Sequence, residues 1–261
     1  MNYILGDNET AAKRLKLVAD LFAPSTESFL NDTALPQSDL VLDLACGPGH
    51  TTRLLAKVLN GTETIGIDQS VNFIAEAEDA SSSDGLSFIC HDITDTPFPV
   101  GPADIIFTRY ILLHLENPSG TVNKWLTQLK PGGFLLLEEL EQIDTDETLF
   151  QKYLELLERS LELQNKRMFI GPLVSTLSFA DAEPTSNRIK EASISAKDAA
   201  AMFFMNMQTL KNSEYVRALY NNEEIEDFVV NLEQVMEVKE TSLKPVSWKL
   251  RQIAIRKEKK K

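Results

Sequence analysis

The decapeptide VLDLACGPGH, Val41 to His50, decides how the rest of the chain is read. An apolar run ends in a turn of small residues with two glycines, Gly47 and Gly49, and passes directly into TTRLLAKVL, whose apolar residues recur at helical spacing. Strand, glycine turn and helix is the arrangement that brings backbone amides and a helix N-terminus close to a nucleotide. Outward from it, residues 40 to 138 alternate short apolar runs with helical stretches. VLDL, TIGID, LSFIC, ADIIFT and GFLLLEE read as strands; TTRLLAKVL, VNFIAEAEDA and NPSGTVNKWLTQLK read as the helices between them. Nearly all-apolar strands alternating with crossover helices predict a mainly parallel sheet covered on both faces.

The flanks carry weaker patterns. Residues 8 to 30 predict a helix with Asn8 as N-cap, Glu9 in its first turn and an apolar stripe of Leu15, Val18, Leu21 and Phe22. Residues 146 to 165 read as an acidic amphipathic helix and 197 to 211 as another. QVMEVKETSL (234–243) and PVSWKLRQIAIRKE (245–258) read as two strands of an antiparallel hairpin around Pro245.

Composition narrows the function classes. The chain of 261 residues carries 39 acids against 26 bases, a formal charge of −13, which argues against a phosphate backbone as partner. Its basic tail, RKEKKK, reads as a solvated terminus. Two cysteines, Cys46 and Cys90, make no disulfide framework, and no apolar run approaches the roughly 20 residues that a membrane span needs. The N-terminus lacks a signal-peptide pattern, so a cytoplasmic location is expected. The three histidines, His50, His91 and His114, each follow a predicted strand, but no two stand at ligand spacing on one helix, and no metal is expected.

The glycine turn departs from the dinucleotide fingerprint G-x-G-x-x-G. Thr52 stands in the third glycine's place, and Pro48 removes a backbone donor that a pyrophosphate would use. Asp43, inside a buried strand, must be paired, either with the loop amides just beyond it or with a cationic ligand. Asp43-Leu-Ala-Cys-Gly47-Pro-Gly49 resembles the first motif of the Rossmann-like S-adenosylmethionine-dependent methyltransferases. Four further features follow in that family's order: Asp68 closing TIGID, Asp92 in FICHDITDTPFP, ADIIFTRYILLHL, and the proline-glycine turn of LKPGGFLLLEE.

The resemblance covers roughly residues 36 to 140 and the final strands. It implies an α/β three-layer sandwich with a seven-stranded, mostly parallel sheet whose last strand is antiparallel. The organisation expected is a helical cap (1–35), a Rossmann-like core (36–142), a mainly helical lid (143–233) and a C-terminal hairpin completing the sheet (234–261). It implies S-adenosylmethionine as cofactor and S-adenosylhomocysteine as product. Asp43, Ala45, Cys46, Gly47, Gly49, Gln69 and Ile93 would hold the donor, with Asp68 on its ribose hydroxyls, Asp92 near its adenine amine, and Arg109 where the chain passes its methionine part, either meeting a carboxylate or folding back on the acidic loops. A second likeness, YILG followed by ETAAKRL, implies that Tyr3 and Arg14 close over the donor's carboxylate.

For chemistry the candidate is His114, one helical turn past Tyr110, as a base for a hydroxyl or amine acceptor; packing or capping is its structural alternative. Cys46 and Cys90 read as small buried hydrophobes rather than nucleophiles. AAAMFFMNMQTL fits a buried packing face and also the wall of an apolar pocket. The reading is methyl transfer to a small-molecule acceptor, with no nucleic acid or membrane partner, and it allows a homodimer. Rival readings are a protein or nucleic-acid methyltransferase, a nicotinamide-dependent oxidoreductase and a non-catalytic binding domain.

Overall fold

The computed structural model describes residues 6–81, 84–237 and 243–259. Helix α1 (Glu9–Asp32) begins where expected, because Asn8 Oδ1 accepts from the Ala11 amide at 3.0 Å and satisfies one of the donors left open at a helix start. Then come β1 (Leu40–Leu44), α2 (His50–Leu59), β2 (Glu63–Asp68), α3 (Val71–Asp79), β3 (Leu86–Cys90) and β4 (Ala103–Arg109). After a 3-10 turn at Leu112–His114 follow α4 (Pro118–Thr127) and β5 (Leu129–Asp144).

Alternation along the strands builds two core layers, because successive strand side chains leave opposite faces. Val41, Ile105, Phe107 and Leu136 meet Phe29 of α1 and Leu55 of α2 on one face. Leu42, Leu44, Ile106 and Leu135 meet Trp125 of α4 on the other. The seven strands run in the order β3-β2-β1-β4-β5-β7-β6. The first five are parallel, and β7 (Val246–Lys257) is antiparallel to β5. The strand order therefore reverses between β1 and β4, and ligands of open α/β sheets bind beyond the strand ends at such a point.

The C-terminal region corrects the sequence reading. The neighbour of β7 is not 234–243 but β6 (Ala182–Ile194), paired antiparallel along its length. Residues 234–237 finish α9 (Asn222–Glu237), and 238–242 lie outside the described residues. The physical reasons are clear on both sides. Ile225, Val229 and Leu232 bury one face of α9 at helical spacing, which runs on to the half-buried Val235 and Met236. β6 is an edge strand with a proline at 184 and mostly polar or exposed positions, so it lacks the apolar alternation that marks a strand. Backbone pairing with β7 holds it, helped by Arg188, which donates to Gln252 on β7 at 2.8 Å and to Asp32 at the end of α1 at 2.7 Å.

The segment expected as a helical lid thus contains an edge strand. Before it come α5 (Thr148–Glu162) and the short α6 (Gly171–Val174); after it come α7 (Ala196–Leu210), α8 (Glu214–Leu219) and α9. A third core joins α1, α5, α7, α9 and β7 through Phe22, Tyr153, Phe203, Leu232 and Trp248.

Candidate active site

The glycine turn folds by three left-handed residues, Ala45, Gly47 and Gly49, at φ 57°, 53° and 75°. L side chains avoid that region, and Ala45 is the one position of the three to carry one. Gly49 is doubly required: a Cβ there would lie 2.5 Å from the ring of Phe88 on β3. The turn is tied to the end of β2, where Asp68 Oδ2 accepts from the Gly47 amide and Oδ1 from the Ser70 amide, both at 2.9 Å. Burial raises the Asp68 pKa above the ordinary carboxylate range despite these backbone donors.

Asp43 is 2% exposed and pairs differently from expectation. It accepts from the hydroxyl of Thr52 at 2.7 Å, whereas the loop amide of Gly47 goes to Asp68. The residue in the third glycine's place therefore supplies Asp43's partner. Burial pushes the Asp43 pKa to about 7, opposed by the Thr52 bond and the charge of Arg109. Cys46 is buried against Ile74 and Phe88, and burial holds its thiol pKa well above the ordinary value, so the side chain packs as a neutral group. Cys90, expected to be buried as well, is exposed, because it is the last residue of β3, where the strand leaves the core.

These groups line one end of a cavity of about 570 Å³, within the size range of small-molecule sites. Asp43, Ala45, Cys46, Gly47, Asp68 and Gln69 stand there with Asp92, Ile93 and Arg109. Gly49 lies behind the turn and is not part of the wall; Tyr3 lies outside the described residues. Asp92 Oδ1 accepts from the amide and hydroxyl of Thr94, each at 2.8 Å; burial works to raise its pKa, but those bonds bring it below the usual range. Arg109 folds back, donating to Thr51 at 3.0 Å and Thr26 at 3.2 Å, 4.0 Å from Glu138. Arg14 is buried and lines the cavity.

The same cavity continues past Tyr110, Leu113 and His114 to a chamber walled by Tyr153, Phe203 and Trp248. His114 ends the 3-10 turn, 8% exposed. Burial, with lesser help from the charges of Lys166 and Arg14, lowers its pKa to about 3. The turn is held from beneath by Glu139, whose Oε1 accepts from the amides of Ile111 and Leu112 at 3.1 and 3.0 Å. Glu139 is fully buried and burial pushes its pKa to about 8. Sequence reasoning passed over Glu138, Glu139 and Asn206, and read Thr52 only as a missing glycine, not as Asp43's partner. A signal for the first two existed, because a pair of acids closing an apolar strand raises the same question as Asp43.

Residues 42–137 match the family described as "Methyltransferase domain". An uncharacterized methyltransferase of Schizosaccharomyces pombe is 30% identical over 114 residues, 40% of this chain and 41% of that protein. Phosphoethanolamine N-methyltransferase 1 of Arabidopsis thaliana is 26% identical over 160 residues, 60% of this chain and 32% of that protein. The matches thus span less than half the length of either relative. Among solved structures, coclaurine N-methyltransferase bound to N-methylheliamine and SAH shares the fold, at TM-score 0.55 and 16% identity over 90% of this chain and 72% of that one.

Proposed function

We propose that the chain, whose residues 42–137 match the methyltransferase-domain family, uses S-adenosylmethionine at the glycine-turn end of the cavity to methylate a small molecule held at its far end. The observation that carries this reading is the chemistry of the cofactor end. Three carboxyls, Asp43, Asp68 and Asp92, line one wall beside a turn that glycines leave open. Such a wall repels a pyrophosphate and suits a ligand with a sulfonium and an ammonium. Asp43, with a hydroxyl for a partner and a pKa near 7, gains most from a cation arriving beside it. Asp68 at the tip of β2 suits the ribose hydroxyls, Asp92 and Ile93 the adenine, and Arg14 the carboxylate.

The cofactor supplies a methyl group already activated on a cationic sulfur. What remains for the chain is to hold the acceptor in line with that methyl group and to exclude water. The chamber beyond Tyr110 does both. His114, neutral with a pKa near 3, suits orienting the acceptor's nucleophilic atom better than storing its proton. The acidic surface supports a small molecule over a nucleic acid.

The test is differential. S-adenosylhomocysteine should raise the melting temperature of the full chain and NAD should not, and label from the methyl donor should appear in an acceptor. Stabilisation by NAD alone would overturn the assignment.

A further inference from the structure

We infer that the acceptor is an uncharged, largely apolar molecule that carries a hydrogen-bond donor received by Asn206 Oδ1; this rests on the methyltransferase reading of the same cavity. The first observation is the wall. Tyr153 stacks on Phe203 with ring centres 4.1 Å apart, Phe203 meets Trp248 at 5.9 Å, and Trp248 meets Phe22 at 5.6 Å. Phe22 in turn meets Tyr110 edge-on at 5.7 Å, which carries the aromatic surface back to the cofactor end. These rings are packed on one another and line the cavity with apolar edges, a lining that suits an apolar molecule.

The second observation is where charge lies. The carboxyls lining the cavity are Asp7, Asp43, Asp68 and Asp92, all grouped with the glycine turn and the ends of β2 and β3. Among the described residues none stands among the chamber rings, so a cationic acceptor meets no counter-ion from them there. Of the cations, Arg109 is anchored on Thr26, Thr51 and Glu138. Arg14 is assigned above to the donor's carboxylate, and the histidines lining the cavity, His50 and His114, have pKa values lowered to about 4 and 3. Lys166 acts on His114 by its charge but is not part of the described lining, so a phosphorylated or polycarboxylate acceptor would meet no cation in contact with the chamber wall, which burial penalises.

The third observation is Asn206 on α7. It is 9% exposed and lines the cavity, and its Nδ2 donates to the Tyr153 hydroxyl at 2.7 Å. That bond fixes the carboxamide, because Tyr153 is itself fully buried and stacked. Oδ1 is left buried without a hydrogen-bond partner. An unsatisfied buried carbonyl is costly, and a ligand hydroxyl or N–H placed against it removes the cost. Asn206 is thus a specificity-determining residue on an otherwise apolar wall.

The inference is tested by calorimetry on the full chain saturated with S-adenosylhomocysteine. The probes are 2-naphthol, 2-methoxynaphthalene and phosphoethanolamine. 2-Naphthol should bind about tenfold more tightly than its methyl ether, which lacks the donor, and phosphoethanolamine should bind weakest. Asn206→Leu should erase the difference between the two naphthalenes while leaving S-adenosylhomocysteine affinity unchanged. If that variant does not fold, the wild-type order of the three probes decides. Equal binding of the two naphthalenes, preference for the ether, or tightest binding of phosphoethanolamine overturns the inference. S-Adenosylhomocysteine binding with no naphthalene bound overturns it too and leaves the methyltransferase reading standing. Failure of S-adenosylhomocysteine itself to bind the wild-type chain overturns both.

Discussion

The two ends of the cavity are built on different principles. The cofactor end is made of backbone and acids: a turn with three left-handed residues, and carboxyls at the tips of adjacent strands within a short stretch of chain. The chamber end, where the acceptor is proposed to lie, is made of rings and aliphatic side chains from α1, α5, α7 and β7, segments far apart in sequence. At the first end each atom has a geometric duty, so few residue types will serve. At the second, volume and apolarity are what matter, and many residues are interchangeable. One end is therefore written in the sequence as a motif, and the other only as scattered hydrophobic positions.

The largest effect should follow from attacking the rigid end. Asp68→Ala removes the carboxylate proposed for the ribose hydroxyls and frees the Gly47 and Ser70 amides together. Affinity for S-adenosylhomocysteine should fall by about tenfold or more, given roughly 1.5–3 kcal/mol for a hydrogen bond to a charged group. Titration calorimetry measures this directly. Unchanged affinity would show that the cofactor does not use the tip of β2, and the contrast between the ends would collapse.

Legibility in the sequence followed the same division. β1 to β5 stood out because buried parallel strands are apolar runs of fixed length between helices, and β3 falls on LSFIC itself. Asp43, Gly47, Asp68 and Asp92 stood out because their types break that apolar pattern at strand ends. Arg109 directly follows ADIIFT, read as a strand, but its chain position could not tell whether it would meet a ligand carboxylate or fold back onto nearby hydroxyls. β6 was hidden because an exposed edge strand is specified by its partner's backbone rather than by its own side chains. Asn206 was hidden for a related reason: a lone amide in AAAMFFMNMQTL gains meaning only when α5 brings Tyr153 to it.

A smaller effect should come from the support beneath the chamber. Glu139 holds the turn of Ile111 and Leu112 that carries Leu113 and His114, and its folded pKa of about 8 lies above its ordinary 4.5. A carboxyl raised in this way binds its proton more tightly when folded. Its stabilising contribution is therefore complete below about pH 4.5 and is lost as the pH rises through about 8. Glu139→Gln keeps an oxygen for both amides and cannot ionise. Its melting temperature should exceed the wild type's by a few degrees at pH 8, with the gap closing toward pH 4.5. A gap that does not change with pH would mean that Glu139 is not the titrating group, and the chamber would then lack this pH-sensitive support.

The smallest effect at neutral pH should come from His114, and its sign is opposite. Its folded pKa of about 3 lies below the ordinary 6.5, so the unfolded chain takes up a proton that the folded one refuses. The stability associated with this neutral imidazole is present above about pH 6.5 and is lost as the pH falls toward 3. His114→Gln should therefore leave the melting temperature nearly unchanged at pH 7.5 and protect the chain at pH 5, measured by thermal unfolding across that range. If His114 orients the acceptor rather than accepting its proton, the same variant should lower the transfer rate by less than about tenfold, below the 10²–10⁴-fold typical of a general base. The shape of the rate's pH profile between 5 and 8 should stay as in the wild type. A larger loss, with a change in that profile, would make His114 the proton acceptor. The chamber would then contain one residue with a geometric duty as strict as those at the cofactor end.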